Sequence, residues 1–173
     1  MTSLKAIILA RGGSKSILLK NIKEINGTPL LGSPIIAAKK ERNISSVYVS
    51  TDDPAIKEVA LRYGAKVIDR PPELADDHSL DLDALRHVVE YFGAHEDMVQ
   101  LRATTPMVES GILDEAVEFF LNNSDCTSLR SAHELPETAY KFFKKKGSYW
   151  GGLFDHELEG EYYNLPRQDL PKT

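Results

Sequence analysis

Short runs of β-type residues alternate with amphipathic helical repeats along most of this chain, and that alternation limits the fold more than any other feature. Ala6-Ile7-Ile8-Leu9, Val47-Tyr48-Val49-Ser50-Thr51, Lys66-Val67-Ile68 and Met98-Val99-Gln100-Leu101 read as short strands. Between them come apolar residues at helical spacing. One set runs from Pro29 to about Arg42, with Pro34 early in it or kinking it. The next are Ile56, Val59, Ala60 and Tyr63, then Leu82, Leu85, Val88, Val89 and Phe92, then Leu113, Ala116, Val117, Phe120 and Leu121. The punctuation agrees. Asn26-Gly27 predicts a turn, Asp53 a helix N-cap with Pro54 at the first helical position, and Gly64 and Gly93 helix stops. Cys126-Thr127-Ser128-Leu129-Arg130 reads as one more strand. Strands alternating with helices imply right-handed βαβ units around a mostly parallel sheet, an α/β fold.

The pattern changes from Ser131. Tyr140-Lys141-Phe142-Phe143 reads as a strand, Lys144 to Ser148 as a solvated turn and Tyr149-Trp150 as the returning strand. Asp155 to Glu161 is acidic, and Asn164 to Pro171 extended. A length of 173 residues suits one domain, so 1–173 is expected to be a single unit with an irregular segment at about 131–170.

In a parallel sheet, ligands sit beyond the carboxyl ends of the strands. The loops to read for function are therefore Arg11 to Asn21, Ser50 to Asp53, Arg70 to His78 and Arg102 to Pro106. The first holds Ala10, Arg11, Gly12, Gly13, Ser14, Lys15, Lys20 and Asn21. Glycines bring backbone N–H groups close to a ligand, and successive amides make a concave anion site to which cations add charge. The chemistry this points to is triphosphate binding, with a solvated strand-to-loop turn as the plain alternative. The spacing is neither Gly-x-x-x-x-Gly-Lys-[Ser/Thr] nor Gly-x-Gly-x-x-Gly.

The formal net charge of −5 disfavours nucleic acid as a partner. One cysteine, Cys126, excludes an intramolecular disulfide and fits a reducing compartment, the cytoplasm. It reads as a small buried hydrophobe. No apolar run spans a bilayer, and Arg11 and Lys15 interrupt the segment that could serve as a signal peptide, so no membrane partner is expected. Five scattered histidines and one cysteine form no zinc pattern. His87 lies at or opposite an apolar helix face, and His78 in the proline loop has the better claim to a ligand.

Five stretches in order carry a resemblance. They are Ala10-Arg11-Gly12-Gly13-Ser14-Lys15 with Lys20-Asn21, Val49-Ser50-Thr51-Asp52-Asp53, Arg70-Pro71-Pro72-Glu73-Leu74-Ala75, Leu101-Arg102-Ala103-Thr104-Thr105-Pro106 and Pro166-Arg167-Gln168-Asp169-Leu170-Pro171. Together they resemble the N-acylneuraminate (CMP-sialic acid) cytidylyltransferases. The resemblance implies a Rossmann-like three-layer αβα nucleotidyltransferase that moves CMP from CTP to a nonulosonic acid and releases pyrophosphate. It implies that Arg11, Ser14 and the Gly12 and Gly13 amides hold the phosphates, beside Ala10. Lys20 would reach the α-phosphate or the leaving pyrophosphate, making Arg11 and Lys20 the catalytic pair. Asn21 would orient the nucleotide, and Arg70 would meet the cytosine edge or its surroundings, helped by the loop through Ser79. Arg102, Lys141, Arg167 and Gln168 would face the acidic sugar, since an arginine can grip a carboxylate bidentately. The irregular segment would serve dimerisation and sugar binding, giving a homodimer.

The departures from the family pattern also make expectations. Arg102 stands where the family commonly has Gln, so the substrate could be another nonulosonate such as legionaminic acid. Ser16 and Leu18 stand where the family has Gly and Pro. The Gln-Gly-Asp motif of the enzymes activating 3-deoxy-manno-octulosonate is absent. The family's Asn-Gly segment and its pair of magnesium-binding aspartates are absent too. The sequence is therefore expected to be truncated at its C-terminal end, with the ligands of an implied Mg2+ outside it. Asp52 and Asp53 are the nearest internal carboxylates, and Asp53 reads first as a cap. The rival readings are the same fold activating another sugar acid, or a catalytically impaired nucleotide-binding module.

Overall fold

The computed structural model describes residues 4–14, 17–93, 96–109, 111–132 and 139–154. The chain divides into two compact units, Met1–Ser128 and Leu129–Thr173.

The first unit is built on four parallel strands in the order β5-β4-β1-β6. These are β1 (Leu4–Leu9), β4 (Ile44–Thr51), β5 (Lys66–Asp69) and β6 (Met98–Arg102). Between β1 and β4 lie a small hairpin, β2 (Glu24–Ile25) and β3 (Thr28–Pro29), and helix α1 (Gly32–Lys40). The hairpin turns through Asn26 and Gly27 at φ 51° and 76°. Two consecutive positive φ angles are what a two-residue hairpin with the twist of its strands requires, and Asn-Gly tolerates them best. Helices α2 (Pro54–Arg62), α3 (Asp81–Phe92) and α4 (Ile112–Asn122) complete the unit.

The continuous apolar runs of β1 and β4 follow from burial on both faces. Ala6 and Ile8 of β1, with Val47 and Val49 of β4 and Leu101 of β6, pack on Ile35 and Ala38 of α1, Ile56, Val59 and Ala60 of α2, and Leu113 of α4. On the opposite face Ile7, Tyr48 and Ile68 meet Val88 of α3, flanked by Leu85 and Phe92. This is the three-layer αβα arrangement expected from the alternation. Leu82, predicted on the buried face of α3, is exposed, and the smaller Ala84 is buried instead. Pro29, predicted to open α1, belongs to β3.

Register decides what the strand ends bring together. Leu9 is level with Ser50 of β4 on one side and with Arg102 of β6 on the other. Thr51 is level with Asp69 of β5. The loops that begin at Ala10, Asp52, Arg70 and Ala103 therefore leave the same edge of the sheet. The chain steps from β1 outward to β4 and β5, then crosses back to β6. Strand order thus reverses between β1 and β6, where open α/β sheets form their ligand crevice.

The predicted strand at Cys126–Arg130 does not form. Cys126 N donates to the Asn123 carbonyl at 2.9 Å, and its thiol donates to the Ser128 carbonyl at 3.0 Å. These local bonds take up backbone groups that a sheet ladder would need. Cys126 is a half-buried free thiol beside a turn, not a fully buried hydrophobe.

The second unit carries a hairpin of β7 (Phe143–Lys146) and β8 (Tyr149–Gly152). Its turn is Gly147-Ser148, with Gly147 at φ 60°, so Lys144 to Lys146 are strand and not the predicted loop tip. Ala139–Lys141 is a 3-10 turn where a strand was predicted. Tyr140 and Phe154 pack ring to ring at 4.8 Å.

Candidate functional site

The ladder between β1 and β4 continues one residue past the strand, with Ala10 N donating to the Ser50 carbonyl at 3.0 Å. Beyond it four hydrogen bonds hold the glycine loop. Gly12 N donates to Asp52 Oδ1 at 3.0 Å. Ser14 N folds back to the Gly12 carbonyl at 2.8 Å. The Asn21 side-chain amide donates to the Arg11 carbonyl at 3.0 Å, and the Asn21 carbonyl accepts from Leu31 N at 2.8 Å. Asn21 is buried and joins the two ends of the loop. Gly12 cannot be larger: a Cβ there would lie 2.7 Å from Asp53 Oδ2 and 2.8 Å from Asp53 Cβ. Asp53 is held in turn, because its Oδ1 accepts from Ala55 N at 2.9 Å and Ile56 N at 3.0 Å as the α2 cap.

Arg11 spans from this loop to the one after β5. Its Nη1 donates to the carbonyls of Ala75, at 3.3 Å, and Asp76, and its Nη2 meets Asp77 Oδ1 at 3.4 Å. Lys20 begins a short 3-10 turn capped by Leu19, a non-glycine residue at φ 50°. The Lys20 ammonium makes no hydrogen bond or ion pair among the described residues. Lys15 and Ser16 lie outside them.

Arg70 is fixed against the end of β4. Its backbone N donates to the Thr51 carbonyl at 2.9 Å. Its Nε donates to Ser50 Oγ at 3.0 Å and its Nη2 to the Ser50 carbonyl at 2.8 Å. The residue is only 7% exposed. Burial lowers the guanidinium pKa from its ordinary value. The Asp52 and Asp81 carboxylates oppose that shift, and Arg11 adds to it.

The loop after Arg70 is closed by Asp76. Its Oδ1 accepts from His78 N at 2.8 Å and from Ser79 N at 2.7 Å. The Ser79 hydroxyl lies within reach of both Asp76 Oδ1, at 2.9 Å, and the Glu73 carbonyl, at 3.0 Å, and its one proton serves one at a time. Hydrogen bonds from Ser79 and His78 hold the Asp76 carboxyl below the usual carboxylate range. Arg102 is exposed at the end of β6, where Thr105 N turns back to its carbonyl at 3.2 Å. Its guanidinium makes no hydrogen bond or ion pair among the described residues.

The first unit thus gathers Ala10, Arg11, Gly12, Gly13, Ser14, Lys20, Asn21, Arg70, Ser79 and Arg102 on loops leaving one edge of the sheet. Lys141 belongs to the second unit, and Arg167 and Gln168 lie outside the described residues. The sequence marks Ser50 only as a hydroxyl at the buried end of an apolar strand, directly before Thr-Asp-Asp.

An implied Mg2+ finds no matching donor set here. Among the described residues no three His, Cys, Asp or Glu side chains gather as a metal site. Asp52 Oδ1 is bonded to Gly12 N, and Asp53 Oδ1 caps α2.

An open parallel sheet with a glycine loop after its first strand, and arginines where β5 and β6 end, is an α/β domain of the Rossmann-like nucleotidyltransferase type. The chain matches the cytidylyltransferase family model over residues 5–146 and belongs to that family. It is 45% identical over 115 residues to N-acylneuraminate cytidylyltransferase A of Danio rerio, covering 66% of this chain and 27% of that protein. It is 33% identical over 172 residues to a pseudaminic acid cytidylyltransferase of Campylobacter jejuni, covering 96% of this chain and 72% of that protein. The chain thus spans about a quarter of the fish relative's length. In fold it is similar to a solved CMP:2-keto-3-deoxy-manno-octonic acid synthetase complexed with CTP. That match has a TM-score of 0.62 at 22% identity, over 72% of this chain and 49% of that one. Among the described residues no helix is long and apolar enough to cross a membrane.

Proposed function

We propose that this chain is the nucleotide-binding core of a cytidylyltransferase that transfers CMP from CTP to a nonulosonic acid, with release of pyrophosphate. The observation that carries the reading is the gathering of Arg11, Lys20, Arg70 and Arg102 with the glycine loop at the sheet edge of a cytidylyltransferase-family domain. The nonulosonic acid is supported by the names of its relatives, one acting on N-acylneuraminate and one on pseudaminic acid.

The reaction needs an in-line approach of a sugar hydroxyl to the α-phosphate and neutralisation of charge on the leaving pyrophosphate. Positioning and fixed charge supply most of what such a transfer requires. The Gly12 and Gly13 amides, Ser14 and Arg11 take the phosphates, and Lys20 meets charge developing at the α-phosphate or pyrophosphate. Arg70 takes the base, and Arg102 the acidic sugar. Arginine is donor-only. It suits cytosine, whose O2 and N3 are adjacent acceptors, better than uracil, whose N3 carries a proton. Magnesium enters this reading with its ligands outside the described residues. A cytoplasmic homodimer formed through the segment at about 131–170 completes it.

The test is pyrophosphate release with CTP, magnesium and a panel of nonulosonic acids, run beside direct CTP binding. Sugar-dependent release with one preferred acid is the expected result. CTP binding without release on any acid would favour a catalytically impaired binding module. Absence of both would overturn the reading.

A further inference from the structure

Ser50 joins two parts of the site that the sequence keeps far apart. Its carbonyl accepts from Ala10 N at 3.0 Å, where the glycine loop begins, and from Arg70 Nη2 at 2.8 Å. Its hydroxyl accepts from Arg70 Nε at 3.0 Å. The residue is completely buried, at 0% exposure, in the middle of an all-parallel sheet. Two points of attachment on the same edge of a planar guanidinium fix its plane and its rotation together. Nη1 makes no hydrogen bond among the described residues, so its two N–H donors remain for another acceptor.

A buried hydroxyl costs free energy unless it is bonded, and an apolar side chain would fill this strand position well. Packing alone does not ask for serine here. The orientation of Arg70 does, because the carbonyl could hold one nitrogen but would leave the guanidinium free to swing about that bond.

The geometry points to Ser50 as a positioning residue for nucleobase choice: it locks the Arg70 guanidinium so that Nη1 addresses the base of the bound nucleotide. This rests on the reading of Arg70 as the residue that meets cytosine, and the two can fail separately.

The experiment measures binding of CTP, UTP and inorganic tripolyphosphate to the unaltered chain and to Ser50→Ala, Ser50→Cys, Ser50→Thr and Arg70→Ala. Circular dichroism and melting confirm that each variant is folded. Cysteine keeps the size of serine but is a weak acceptor, so it serves if alanine does not fold. The preference for CTP over UTP is expected to fall about tenfold in the alanine and cysteine variants, the size of one lost bond to a charged donor. Tripolyphosphate affinity should change less than about twofold on the same reasoning, because the phosphate loop is untouched. Ser50→Thr, which keeps the acceptor, should keep the preference.

A preference that survives in folded Ser50→Ala and Ser50→Cys while Arg70→Ala abolishes it would overturn the positioning role and leave the Arg70 reading intact. A preference that survives Arg70→Ala, or is absent from the unaltered chain, would remove the reading and this proposal with it. Equal losses for all three ligands would mean that Ser50 only supports the fold.

Discussion

The Gly12 amide donates to the Asp52 carboxylate at 3.0 Å, so a group from inside the protein holds the position where an anion would be expected. Arg11 is similarly engaged with Asp77 and the carbonyls of Ala75 and Asp76. The Gly12 amide and the Arg11 guanidinium thus both have internal acceptors. In the proposed reading, phosphate binding at Gly12 and Arg11 is an exchange of partners, and its net gain is smaller than the bonds to phosphate alone would give.

Asp52→Asn is expected to tighten triphosphate binding. The substitution removes one negative charge beside the loop and keeps an amide oxygen for Gly12 N. A unit charge at a few ångströms near a protein surface is worth on the order of 1 kcal/mol after screening, so affinity for tripolyphosphate should rise about fivefold. Titration calorimetry at low and high salt checks it, and the gain should shrink with salt. Weaker binding would show instead that the Asp52 charge supports the loop in the bound form.

Gly12 and Asp53 form a second coupled pair. Gly12→Ala drives a Cβ to within 2.8 Å of the Asp53 Cβ, and Asp53 cannot retreat without losing the α2 cap. Overpacking of this kind costs about 1–3 kcal/mol. Asp53→Gly alone costs a few tenths of a kcal/mol, since glycine is a fair N-cap. The double variant Gly12→Ala/Asp53→Gly is expected to recover most of the loss, giving about 1 kcal/mol or more of favourable coupling in a denaturant double-mutant cycle. Additive losses would mean that the loop, not the cap, absorbs the methyl group.

Much of this was legible because it is local. Asp53-Pro54 capping α2, Asn26-Gly27 making a turn and the apolar runs of β1 and β4 are written in adjacent residues, and strand alternation then fixes the layers. The loops of the site were legible because strand ends in a parallel sheet converge. Their internal bonds were not. Nothing in the sequence pairs Gly12 with Asp52 or Arg70 with Ser50, because those contacts depend on strand register. The differences have the same origin: at Cys126 short-range turn bonds defeat a β-type run, and at Lys144 a run of charge predicts a loop although alternate strand positions can face solvent.

Asp114 provides a pH-dependent tie between the α1–β4 connection and α4. Its side chain is nearly buried, which opposes ionisation. Bonds from Asn43 N at 2.8 Å, Arg42 N at 3.0 Å and Arg42 Nε at 3.3 Å outweigh that and hold its pKa below the ordinary 3.8. A carboxyl depressed in the folded state contributes stability that is fully present above its unfolded pKa and is lost as pH falls through the folded one. Urea midpoints should therefore be flat in this respect above about pH 5 and fall from about pH 4 downward. Asp114→Asn should be less stable at neutral pH and show a shallower acid limb. An acid limb of unchanged slope would assign the loss to other carboxylates.

Lys20 separates binding from chemistry in the proposed reaction. Its ammonium makes no hydrogen bond or ion pair among the described residues, so removing it should leave the fold in place; Lys20→Ala is expected to melt within about 2 °C of the unaltered protein. Loss of a charge that acts mainly on the transition state costs roughly 10²–10³ in kcat, with a much smaller change in CTP affinity. The comparison is single-turnover transfer at saturating CTP against equilibrium CTP binding, in a form of the protein that turns over. Lys20→Arg should recover part of the rate by restoring charge, but not all, because a planar fork does not occupy the place of a compact ammonium. If Lys20→Ala weakens CTP binding by the full factor and leaves kcat unchanged, Lys20 is a ground-state phosphate contact, and among the residues named here the charge developing in the transfer falls to Arg11.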